Sequence, residues 1–185
     1  MNGTQIVDAL KFKLDRNKID FWGCFASDEI AKFKIPSKPN KPIQFVSNTL
    51  SRFSEETIGH WVLFHIQGDT IFFFDSFALK PALHSHYFKL FLSTHPAFSL
   101  KQLNNRLQGT HSLVCGAYVV QASHWLSIYG MNGLSRELNR MYSKKYDEND
   151  SKVLRFVYSN FNIPQCAKVF CDGLTYAQCK KLCSS

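Results

Sequence analysis

The chain lacks most signals that would take it out of the class of ordinary folded domains. No apolar run approaches the ~18–20 residues needed to cross a bilayer; Leu113–Val120 is among the longest. The first 25 residues mix Asp8, Lys11, Lys13, Asp15, Arg16 and Lys18, so no secretory leader is visible. There is no internal repeat and no low-complexity segment. Acidic residues are scarce, 14 against 22 lysines and arginines, for a net charge of +8. An excess of that sign draws polyanions without naming one. What the chain does have is a large apolar share, 45%, with 17 phenylalanines, enough to build a packed interior and to exclude disorder. At 185 residues it suits one intracellular domain spanning 1–185, with a helical, cysteine-rich extension from about 134. Without an export signal, its six cysteines are expected as thiols.

The local patterns follow in order. Thr4 precedes Ile6, Val7, Leu10 and Leu14, spaced to line one face of a helix. Phe21–Phe25 and Gln44–Asn48 read as short strands, with the proline- and lysine-rich stretch Ile35–Pro42 as a loop between them. His60–Ile66 and Thr70–Phe74 flank Gln67-Gly68-Asp69, which predicts a β-hairpin apolar on both faces and therefore inside a covered sheet. Pro81–Leu92 reads as one helix, Phe98–Leu103 as a strand and Cys115–Ile128 as an apolar helix, with more helices from Leu134 onward. The fold class expected is α+β, a mixed sheet flanked by helices.

Four polar residues stand at the edges of these apolar elements: His60, Asp75, Gln108 and Cys115. The hairpin should bring His60 and Asp75 to the same sheet edge, where a carboxylate can orient an imidazole. Cys115 opens a helix, where unpaired amides and the dipole favour thiolate. Its N–H and the Gln108 amide could face a developing oxyanion. Singly, each residue has a bland reading as core cysteine, strand end, turn or loop; jointly they supply nucleophile, base, orienting acid and oxyanion donor.

The flanking residues carry a resemblance. Gln108-Gly109-Thr110-His111-Ser112-Leu113-Val114-Cys115-Gly116 resembles the glutamine-to-cysteine segment of adenain, the adenovirus-type cysteine endopeptidase family, in its Gln-Gly start, central serine, Cys-Gly end and spacing of seven. Asn48-Thr49, Gly59-His60-Trp61, Phe74-Asp75-Ser76-Phe77 and, more weakly, Phe21-Trp22-Gly23 are also similar to that family, so the resemblance runs through roughly residues 1–130. It implies a circularly permuted papain-like fold with His60 as base, Cys115 as nucleophile, Asp75 as orienting acid and Gln108 as oxyanion donor, and with Trp61 packed beside the histidine. It further implies cleavage of viral capsid or core precursors at Gly-Gly or Gly-x-Gly sites, in the virion and infected cell, by a monomer. No cofactor is needed for the chemistry, and DNA or a viral peptide serves as activator. Two departures stand out. The family's glutamate is Asp75 here, which demands a closer His60, and no cysteine lies between Asp75 and Gln108 to capture a peptide by disulfide.

SUMO- or ubiquitin-like deconjugating proteases share the same order of residues, and Asp75-Ser76 is closer to them; an acyltransferase of the same clan is a third enzymatic reading. Outside enzymes, a basic nucleic-acid-binding core protein remains open. Cys166, Cys171, Cys179 and Cys183 could hold zinc, though no paired C-x2-C is present and simple packing is the commoner explanation. Basic clusters at Lys11–Lys18, Lys32–Lys41, Lys144-Lys145 and Lys180-Lys181 are each most often a solvated face, and together they suggest non-specific DNA binding. His84 and His86, without an acidic or thiol neighbour in sequence, read as surface residues.

Overall fold

The computed structural model describes residues 1–56 and 59–161. A capping box starts the first helix, α1 (Gly3–Arg16): Asn2 Oδ1 accepts the Gln5 N–H at 3.0 Å and Gln5 Oε1 accepts the Asn2 N–H at 2.9 Å. The helix therefore begins ahead of Thr4, and buries Ile6, Ala9, Leu10 and Leu14. Strand β1 (Asp20–Phe25), the short helix α2 (Ser27–Ile30), β2 (Ile43–Asn48), β3 (Trp61–Gln67) and β4 (Thr70–Phe74) follow. Then come α3 (Pro81–His84), α4 (His86–Ser93), β5 (Ser99–Gln102), α5 (Cys115–Met141) and α6 (Tyr146–Asn160).

The five strands lie in chain order, β1-β2-β3-β4-β5. The β1–β2 and β4–β5 pairs are parallel, whereas β2–β3 and β3–β4 are antiparallel. The sheet is thus mixed, as expected, and helices cover both of its faces. Period-2 alternation sorts the side chains. Val46, Leu63, Phe72 and Phe74 point to the layer of α1, α5 and α6, while Ile43, Phe45, Val62, Phe64, Ile66, Ile71 and Phe73 point to the layer of α2 and α4. The second layer is largely aromatic: Phe64 stacks on Phe45 at 4.9 Å and meets Phe73, Phe88 and Phe91 edge-on. Phe64 is fully buried, so Phe64→Ala should cost about 3–5 kcal/mol of stability, visible as a lower denaturant midpoint.

The hairpin turn is tighter than the sequence suggests. Gln67 pairs with Thr70, leaving Gly68 and Asp69 as a two-residue link. Gly68 has φ 59°, and a left-handed residue first and an ordinary one second is the II′ arrangement that matches strand twist. Elsewhere the single helix expected over Pro81–Leu92 is two. Ser85 is extended (φ −158°, ψ 139°), ending α3 and capping α4 by accepting the Tyr87 N–H. The helix starting at Cys115 runs past Ile128 with a break at Gly130 (φ 65°), and Leu134 and Leu138 beyond it join the same core as α1. Helix α2 has no counterpart in the sequence reading, being a single turn. The cysteines at 166, 171, 179 and 183 and the lysines at 180 and 181 lie outside the described residues. Among the described residues, no helix is long and apolar enough to cross a membrane.

Candidate active site

The base–acid pair grows out of the antiparallel ladder. His60 extends the β2–β3 pairing by one residue: its N–H donates to Thr49 Oγ1 at 3.0 Å and its carbonyl accepts the Thr49 N–H at 2.9 Å. Leu63 and Phe74 form the last register pair of the hairpin, and the two chains run on beyond them to His60 and Asp75. There the imidazole Nε2 meets Asp75 Oδ1 at 2.5 Å, the close approach that the shorter acid demands.

Asp75 is 3% exposed, a costly place for a charge unless it is fully hydrogen-bonded. It is. Oδ1 also accepts the Phe77 N–H at 3.0 Å, and Oδ2 accepts the Leu79 N–H at 2.8 Å and His84 Nε2–H at 3.0 Å. Ala78, at φ 60°, makes the turn that lets both of these amides face one carboxylate. Burial pushes the Asp75 carboxyl up, but the bonds from His60 and His84 outweigh it and hold the group well below the usual range.

The reading of His84 as a surface residue is corrected here. The Ser85 break between α3 and α4 leaves His84 at the end of α3, where its ring stacks on that of His60 at 5.4 Å and 17°. Phe77 covers His60 at 4.7 Å. His60, Asp75 and His84 place metal-ligand-type atoms within 4.8 Å of one another. The carboxylate already accepts four hydrogen bonds, about its full capacity, so mutual bonding accounts for the grouping without a cation. Nothing local in the sequence marks His84, because its partner is reached only through the turn at Ala78 and the α3 start at Pro81.

Cys115 is the first residue of α5, so its N–H and that of Gly116 have no intrahelical acceptor. It is 7% exposed. Burial pushes its thiol up, but a hydrogen bond and charge attraction from His60, with the Trp61 backbone N–H, bring it below the ordinary thiol value. Burial likewise lowers His60, and its bonds to Asp75 and Cys115 raise it to about 9. Nε2 is bonded to Asp75, so Nδ1 is the ring nitrogen the acid does not engage. Gly116 is needed by close approach, since a Cβ there would stand 2.9 Å from Met1 Cβ. Trp61 donates its indole N–H to the Met1 carbonyl at 3.1 Å.

Gln108 is also buried, at 1% exposure. Ser76, next to the acid, donates to its Oε1 at 2.5 Å, and its Nε2 donates one hydrogen to the Ser112 carbonyl at 2.6 Å. The backbone agrees: the Leu107 and Gln108 N–H groups both donate to Ser76 O. All four residues singled out from sequence are thus tied to one another's loops. Ser76 was not singled out for this role, and only its place beside Asp75 hints at it. A cleft of ≈ 580 Å³ lined by Cys24, Asn48, Ser51, Gly59 and Trp61, with Gly3 of α1, opens alongside. Cys24 in its wall differs sharply from Cys115, since burial pushes its thiol up to about 12.

No family model matches the chain, and no curated protein does. Solved structures with some similarity include ChlaDub1 from Chlamydia trachomatis, at 15% identity and TM-score 0.45 over 64% of this chain and 58% of that one. The ASFV pS273R protease matches at 19% and 0.49, over 89% and 68%. The effector protein RavZ of Legionella pneumophila matches at 14% and 0.41, over 100% and 74%. The chain spans less than two thirds of ChlaDub1.

Proposed function

We propose that this chain is a cysteine-type hydrolase of the papain-like clan, with its site residues in circularly permuted order, cutting a peptide or isopeptide bond after a small residue. The observation that carries this is Asp75 holding Nε2 of the His60 ring while that same ring draws the Cys115 thiol, at the first position of α5, below its ordinary value. A histidine ending a strand would need neither partner, and a core cysteine would resemble Cys24.

The steps follow from the pair. The Cys115 thiolate attacks the carbonyl carbon, and the C=O π pair moves onto oxygen, where the Cys115 N–H and the free hydrogen of Gln108 Nε2 are the available donors. The oxyanion re-forms the carbonyl as the C–N bond breaks, and the leaving nitrogen takes the His60 proton. Water then attacks the thioester, gives its proton to His60 and releases the carboxylic acid with return of the thiolate. Asp75 keeps the imidazole in one tautomer throughout. Removal of a ubiquitin-like modifier and cleavage of a capsid-type precursor both present an extended chain ending in glycine. The aspartate at 75, with Ser76 beside it on Gln108, favours the deconjugating reading. Parallel assays on a ubiquitin-like conjugate and on a Gly-Gly-containing structural precursor separate the two.

The hydrolase reading is tested without knowing the substrate. Iodoacetamide at mildly acidic pH should alkylate Cys115 well ahead of the other thiols, because its deprotonation sets in below the ordinary thiol range. Cys24 should stay unlabelled. Turnover should then fall as pH rises through about 9, where His60 loses the proton the leaving group needs. Equal labelling of all cysteines would sink the reading and favour a non-enzymatic basic protein.

A further inference from the structure

The donor amide of Gln108 has to be aimed, and the machinery that aims it sits on α6. Asp150 of that helix is half-buried and accepts the Gly109 N–H at 3.2 Å. Ser112 also holds that carboxylate down, against the burial that pushes it up. Asp150 Oδ1 also lies 2.9 Å from the Tyr118 hydroxyl, which shares its one proton with the Leu107 carbonyl at 3.1 Å. Its neighbour Asn149, fully buried, donates from Nδ2 to that carbonyl at 3.0 Å. Gln108 therefore stands in a loop pinned on its near side at Leu107 and on its far side at Gly109, whose carbonyl accepts the Ser112 N–H at 3.3 Å. The Ser112 carbonyl is the acceptor that turns the Gln108 Nε2.

We propose that Asp150 is a positioning residue for the Gln108 amide, acting through Gly109 and Ser112. The acid is suited to this because the Gly109 N–H and the Tyr118 hydroxyl both bond it and an ionised carboxylate is acceptor-only. A side-chain amide in its place turns an NH2 toward one of those donors. No other carboxylate bonds the Gln108–Cys115 loop among the described residues. The segment that reads from sequence as a cysteine-rich extension thus contributes, at its start, to the geometry of the oxyanion site. The proposal rests on the hydrolase reading for its chemistry, although the contacts themselves do not.

Its test is Asp150→Asn, assayed with a fluorogenic acyl-Gly-Gly-coumarin amide and, separately, by iodoacetamide. Turnover should drop roughly 10–10²-fold in kcat with KM nearly unchanged, the size expected when a charged hydrogen bond is lost. The alkylation rate of Cys115 should hold within about twofold, since displacement of iodide forms no oxyanion. In a Gln108→Ala background, Asp150→Asn should cost less than about twofold more. Should Asp150→Asn not fold, Tyr118→Phe, which removes one donor to the same carboxylate and no charge, should show a smaller loss with the same dependence on Gln108. Unchanged kcat, an equal loss without Gln108, or a parallel loss of alkylation would overturn the proposal. A parent protein that leaves the peptide uncut counts against the hydrolase reading instead. The side-chain amide NMR signals of Gln108 then decide: shifted and protected in the parent and averaged with solvent-exposed glutamines in Asp150→Asn, or unaltered by the substitution, which refutes it.

Discussion

Cys115→Ala should lower turnover by roughly 10⁴–10⁶-fold, the scale seen when a covalent nucleophile is removed. Without sulfur no thioester forms, and what is left is carbonyl polarisation by Gln108 with water as a poor nucleophile. The fold should survive, because the change removes one atom at the first position of α5, and Ala is tolerated there. A second consequence separates this explanation from a merely damaged site. His60 owes part of its raised pKa to the Cys115 thiolate, so in the alanine variant its NMR titration should move down from about 9. A variant with full turnover would overturn the mechanism; one in which His60 titrates unchanged would remove the ion pair.

His60→Ala should be as severe for turnover, roughly 10⁴–10⁶-fold, and should also silence the thiol. Burial is the largest influence on Cys115 and favours the neutral form. With the imidazolium gone, the largest influences that oppose burial are lost. Alkylation at mildly acidic pH should therefore fall steeply, toward that of the buried Cys24 thiol. Asp75 keeps the Phe77 and Leu79 amides and His84, so the sheet edge should not unravel. Stability has a signed dependence on pH as well. A histidine whose pKa is raised on folding contributes below its unfolded value and loses that contribution as pH rises through the folded one. The parent should thus exceed His60→Ala in stability at neutral pH, and the gap should close above about 9. A gap that widens with pH would contradict the assignment.

How much of this was legible from residues alone depends on range. The hairpin announces itself by two aromatic runs around Gly68, and antiparallel pairing then dictates that His60 and Asp75 meet. The α5 start shows as an apolar run behind a polar loop. These are local patterns, or local patterns plus one pairing rule. His84 could not be read, because its place follows from a left-handed residue at Ala78 and an extended Ser85, neither of which is a glycine or proline that would advertise the turn. Asp150 is camouflaged further. It sits in Tyr146-Asp147-Glu148-Asn149-Asp150, where a charged helix face is the ordinary expectation, and its partners lie about 40 residues back. The split of Pro81–Leu92 into two helices was missed for the same reason, since a serine in mid-run does not stop a helix unless packing asks it to.

The alternation that divides Leu63 and Phe74 from Phe64 and Phe73 also fixes where the hairpin's two outgoing ends fall. A one-residue slip between these strands would send each aromatic to the wrong layer, and by the same movement pull the imidazole off its acid. Mutational drift that preserves the odd–even order can thus replace many phenylalanines without disturbing the chemistry. An insertion of a single residue at Gly68-Asp69, far from the sulfur, would be selected against twice.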